Sequence, residues 1–241
     1  MKRIGRVLEA EVVAEFLRNE YFKPEYDRDR DRFSALVRDP DLANEFENRT
    51  RKALFYRRRS TMWRELPADT QWWEVSLEPA DLPKLQIFPR AHWCRITGGD
   101  YNLLRTVERI RQGEIDRRCS EKIADIKALS QRFSQAVDRS TLLLIGIDDR
   151  QPFRILEGNH RMAAAFLNDP ETLLDQFRVV CGFSPRMRQC CWYDTNLFTL
   201  ARYLRSRIQY LPNQDARMPA SRDETETRHR QQPEPGNLVI G

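Results

Sequence analysis

The chain has 241 residues, 40% hydrophobic and 32% charged, with a formal net charge of +5. That length suits one domain with appendages or two small ones. No run reaches the roughly 18 apolar residues of a membrane span. The basic start Met1-Lys2-Arg3 leads to Glu9 and Glu11 instead of an apolar segment, so a cytoplasmic protein without signal peptide or membrane partner is expected.

Residues 1–66 read as a helical extension. Val7, Leu8, Val12, Val13, Phe16 and Leu17 share one helical face. Tyr21 to Arg32 is polar and interrupted by Pro24, which predicts a loop or short turn. A helix is predicted from Asp39-Pro40-Asp41, where aspartate can cap and proline can sit early, through Phe46, Leu54, Phe55 and Met62 towards Trp63. Arg49-Thr50-Arg51-Lys52 and Arg57-Arg58-Arg59 make this stretch basic, with Phe55, Tyr56 and Trp63 interleaved. Such a patch either tracks phosphates or is a solvated helix face. It could also fold over a site elsewhere and supply an arginine.

Residues 67–211 carry the core. Trp72 to Leu77 has strand character, and Pro79, Pro83 and Pro89 then keep the chain extended or turning. Thr97-Gly98-Gly99-Asp100 is a glycine turn and a weak phosphate-loop signal. Helices are predicted over Tyr101–Gln112 and Ser120–Phe133. Thr141 to Ile147 is a short apolar run bounded by charge, which suits a buried strand. Asp148 to Gln151 turns, and Pro152 to Leu156 forms a second strand, giving a hairpin. Met162-Ala163-Ala164-Ala165-Phe166-Leu167 is a strong helix former. Phe177–Phe183 predicts one more strand. Leu197, Leu200, Ala201 and Leu204 make an amphipathic stripe over Leu197–Ile208. Residues 212–241 are polar, rich in proline, glutamine, arginine and glutamate, and expected to be disordered. The fold class that follows is α+β: a small mixed sheet with helices, plus the N-terminal helical extension.

The chemistry concentrates between Leu156 and Met162, in Glu157-Gly158-Asn159-His160-Arg161. Gly158 permits a tight bend and a close ligand approach. The free N–H groups of the helix start favour an anion such as phosphate. Arg161 can add a bidentate contact, and Asn159 can donate and accept. His160 can donate a hydrogen bond or move a proton. Glu157 is a candidate base or metal ligand. His92, beside Trp93, is a second histidine able to reach such a site. The five cysteines form no C-x-x-C pair, so reduced thiols are expected, with vicinal Cys190-Cys191 the one redox candidate.

The segment Ile155-Leu156-Glu157-Gly158-Asn159-His160-Arg161-Met162-Ala163-Ala164-Ala165 resembles the signature turn of the ParB/sulfiredoxin-like superfamily, a strand followed by [D/E/G]-G-x-H-R-x-x-A and a helix. The resemblance implies that Gly158, His160 and Arg161 hold phosphate and that Asn159 belongs to the same binding turn. It implies ATP or another nucleotide as cofactor, with magnesium, and an unknown small molecule as partner. Catalysis by Glu157 and His160, as a phosphotransferase (kinase-like) or nucleotide hydrolase, is the expectation. Asn159 stands where sulfiredoxins carry their cysteine, which removes sulfinic-acid repair. A looser similarity to the Fic motif ends at Gln151, which occupies that family's catalytic-histidine position. The alternative is a nucleic-acid-binding or nuclease-like ParB-type module working through Arg57, Arg58 and Arg59.

Overall fold

In the computed structural model, residues 1–133, 140–168 and 177–209 are described. The tail expected to be disordered, 212–241, lies outside them. Six strands form one sheet in the order β1-β2-β6-β4-β5-β3. Their ranges are β1 Lys2–Val7, β2 Gln71–Ser76, β3 Leu85–Gln86, β4 Thr141–Gly146, β5 Phe153–Glu157 and β6 Arg178–Phe183. β4 runs parallel to β6 and β3 parallel to β5, while β1–β2, β2–β6 and β4–β5 are antiparallel. The mixed sheet among helices is the α+β class expected.

β4 explains the layering. All six of its residues are buried, the mark of a strand covered on both faces. Because side chains alternate across a strand, Leu142 and Leu144 enter one core and Leu143 and Ile145 the other. The first core is roofed by α4 (Ala91–Thr97), α5 (Leu103–Gln112), α6 (Ser120–Phe133) and α7 (Asn159–Leu167), through Ile96, Val107, Ile126 and Phe166. The second is roofed by α1 (Glu9–Glu20), α2 (Asp27–Arg38) and α3 (Glu45–Trp63), through Phe16, Leu17, Val37 and Phe55. Phe16 packs edge-on to Phe55 at 5.0 Å, and Trp63 stacks on Trp72 at 5.3 Å. Each fully buried aromatic contributes about 2–3 kcal/mol.

Three expectations change. Lys2–Val7 is not helical; it is an edge strand paired with β2, and its charged residues suit an edge with one side open to water. The N-terminal segment is helical only from Glu9. The loop expected over Tyr21–Arg32 contains α2: Pro24 opens a 3-10 turn, and Asp27 and Asp29 then favour the helix start. Asp39 ends α2, and α3 begins at Glu45, because Asn44 caps it by accepting from the amides of Phe46 and Glu47. The predicted C-terminal helix is present as α8 (Leu197–Gln209), with Leu197 and Leu204 exposed and Thr199 buried.

Candidate functional site

Gly158 opens α7 with φ +99°, a left-handed conformation. A Cβ there would lie 2.4 Å from Leu142 Cδ2, so both backbone and space demand glycine. The bend swings the chain from the end of β5 into α7 and places Glu157, Asn159, His160 and Arg161 around one helix start.

The five predicted residues divide. Glu157 and Arg161 pair with each other, four residues apart. Arg161 also donates to Ser140 Oγ and, at 3.2 Å, to the Thr141 carbonyl. Asn19 Nδ2 donates to the Thr141 carbonyl at 2.8 Å and to Glu157 Oε2 at 3.4 Å. Burial raises the Glu157 carboxyl above its usual range, and Arg161 pulls it back only in part. Asn159 is a clasp: its Oδ1 accepts from the Phe88 amide at 2.8 Å, and its Nδ2 donates to the Ile155 carbonyl at 3.3 Å. It fixes the segment after β3 against the helix start.

His160 lies between Trp93, 5.0 Å between ring centres, and His92, 6.0 Å away and nearly parallel. Burial lowers its pKa to about 4, with His92, Lys122 and Lys23 adding to the effect and Asp125 opposing it. It is therefore neutral at pH 7, a hydrogen-bond donor and acceptor and a weak base. His92 is lowered too, by burial first and then by Arg90 and Lys122. Its Nε2 is buried with no hydrogen-bond partner among the described residues.

The basic cluster separates. Arg57 grips Asp29 with two 2.8 Å contacts. Arg58 donates to the Glu25 carbonyl. Arg59 turns inward and pairs with Glu20, which also holds Lys23. Desolvation and then Arg59 depress the Arg90 guanidinium, while Glu20 and Glu157 oppose them. Lys23, Arg59, Arg90, Lys122 and Arg161 thus share one electrostatic neighbourhood with Glu20, Glu157 and Asp125. Of these cations Arg161 pairs with Glu157, and Lys23 and Arg59 share Glu20. Asn19, Glu20, Lys23, Arg90 and Lys122 carry no sequence signal for this site; they arrive from α1, the turns after it and after β3, and α6.

Other candidates become structural. Gly98 is the left-handed C-cap of α4, and Asp100 pairs with Arg105, so that turn holds a helix end. Cys190 and Cys191 are free and buried. Burial pushes the Cys190 thiol up to about 12 and raises Cys191 as well, which leaves little thiolate for redox chemistry. Among the described residues no group of three metal-binding side chains forms, and no helix is long and apolar enough to cross a membrane. Comparison with family models, curated proteins and solved structures gives no match.

Proposed function

We propose that the protein binds a nucleotide phosphate at the start of α7 and acts as a phosphotransferase or nucleotide hydrolase on a small molecule. The supporting observation is the approach of Lys23, Arg90 and Lys122, from separate elements, to a glycine-opened helix start that carries Arg161. Helix amides, the dipole and these cations together favour a polyanion. Arg161 is committed to Glu157 and Lys23 to Glu20, so Arg90 and Lys122 make the first phosphate contacts. Neutral His160 donates a hydrogen bond without adding charge. Glu157 is the base, or the carboxylate that meets a magnesium ion carried in by the phosphates. Magnesium usually needs only one or two protein carboxylates beside the nucleotide, and Glu157 and Glu20 fit that role. Membership of the ParB/sulfiredoxin-like superfamily belongs to the same proposal.

The nucleic-acid alternative rests on Arg57, Arg58 and Arg59. Their engagement by Asp29, the Glu25 carbonyl and Glu20 weakens it. Calorimetry with ATP, ADP and CTP, with and without magnesium, tests the reading. Saturable binding that weakens about tenfold in Arg90→Ala is expected, since a charge-assisted contact is worth about 1.5–3 kcal/mol. Absence of heat with all three in the folded protein removes it.

A further inference from the structure

A cavity of about 270 Å³ opens beside the start of β5, lined in part by Gln86, Gln151, Arg154, Arg188, Tyr193 and Asp194. It shares no residue with the α7 turn. Arg154 and Gln86 are register partners on the parallel strands β5 and β3, so their side chains leave the sheet on the same face. The loop after β4 brings Gln151. The chain after β6 brings Arg188, Tyr193 and Asp194.

Arg154 is the unusual residue. It is 8% exposed, yet among the described residues no carboxylate lies within ion-pair distance of it. Nη1 donates to the Ile87 carbonyl and Nη2 to the Tyr193 carbonyl, each at 2.9 Å. The guanidinium lies 5.6 Å from the Tyr101 ring centre. Its Nε is buried with no hydrogen-bond partner among the described residues. A guanidinium has five donor hydrogens; the two carbonyls use two of them. Removing a cation from water without a counter-charge is costly, and backbone carbonyls and a ring face offset only part of that. A counter-anion entering the cavity would supply the rest.

Charge selects the ligand. Arg154 and Arg188 against Asp194 leave one net positive charge around the cavity. That balances a carboxylate, whereas a phosphate dianion would leave an excess negative charge facing Asp194. The Gln86 and Gln151 amides add polar groups able to donate to carboxylate oxygens, and a guanidinium fork matches a planar carboxylate. We propose that this cavity is a binding site for a small organic carboxylate, with Arg154 as its buried anchor and Arg188 as the cation at its mouth.

Calorimetric titration of the full chain with acetate, lactate and pyruvate, at ionic strength held constant with sodium chloride, tests the site. Saturable binding of at least one of them, one per chain, is expected. Arg188 is exposed, so Arg188→Gln should fold normally and lower the affinity about tenfold, the size of one lost charge-assisted contact. Asp194→Asn should tighten binding. Arg90→Ala should leave it unchanged, which separates this site from the α7 turn. Arg154→Met should abolish binding, and Arg188→Gln keeps the test decisive if that variant fails to fold. No saturable heat with any of the three, an affinity unmoved by Arg188→Gln, or inorganic phosphate binding through Arg188 in place of the carboxylates would overturn the assignment.

Discussion

At the end of β5, Glu157 faces Arg161; three residues earlier on the same strand, Arg154 faces two backbone carbonyls and a tyrosine ring. Both places hold charge out of water, but among the described residues only the first pairs it with an opposite charge at ion-pair distance. The contrast separates two ways of using a buried ion. The Glu157–Arg161 pair fixes the geometry of the α7 start and nearly cancels there, and Lys23 and Arg59 are held by Glu20, so attraction for an anion comes from the surrounding Arg90 and Lys122. Arg154 is held in place by backbone, and its charge stays available. The segment after β3 touches both: Ile87 accepts from Arg154, and the next residue, Phe88, donates to Asn159.

The contrast can be broken experimentally, with the largest effect from splitting the pair. Arg161→Met leaves Glu157 largely buried without its cation, which should destabilise the fold by about 3 kcal/mol in urea unfolding. Adding Glu157→Gln should restore most of that loss. Simple additivity of the two substitutions would mean the pair carries no coupling.

Gly158→Ala imposes a side chain at φ +99° and against Leu142. A loss of about 2–3 kcal/mol in thermal or urea unfolding is expected. A loss under about 0.5 kcal/mol, the size of an ordinary surface substitution, would mean that the turn relaxes freely.

His160 sets a pH dependence. Its folded pKa of about 4 lies below the ordinary 6.5, so below pH 6.5 the unfolded chain takes up a proton that the folded protein refuses. Stability is therefore full above pH 6.5 and falls as the pH drops towards 4, by about 2 kcal/mol between pH 6.5 and 5. His92 acts in the same direction. In His160→Gln the curve over that window should flatten; an unchanged slope would place the titration elsewhere.

The smallest effect belongs to Arg57, whose pairing with Asp29 is partly exposed. Arg57→Ala should cost less than about 1 kcal/mol and leave nucleotide binding intact. A marked loss of nucleotide binding would return the Arg57–Arg59 stretch to the site as a unit.

The sequence by itself determined the elements whose signals are local. The apolar run of β4, the hairpin into β5, the Ser120–Phe133 helix and the alanine-rich α7 stand where their patterns place them, since period and turn chemistry act within a few residues. Gly158 was legible for the same reason: a glycine between strand and helix marks a bend that a side chain would obstruct. Tertiary structure alone decided the rest. Lys2–Val7 became a strand because β2, about seventy residues away in sequence, offered an open edge. Asn19 meets Glu157 across 138 positions, Arg59 left its neighbours to reach Glu20, and Arg154 lost every carboxylate at ion-pair distance among the described residues. Charge pairing depends on which groups the packed layers bring within a few ångströms, and local pattern carries no information about those distances.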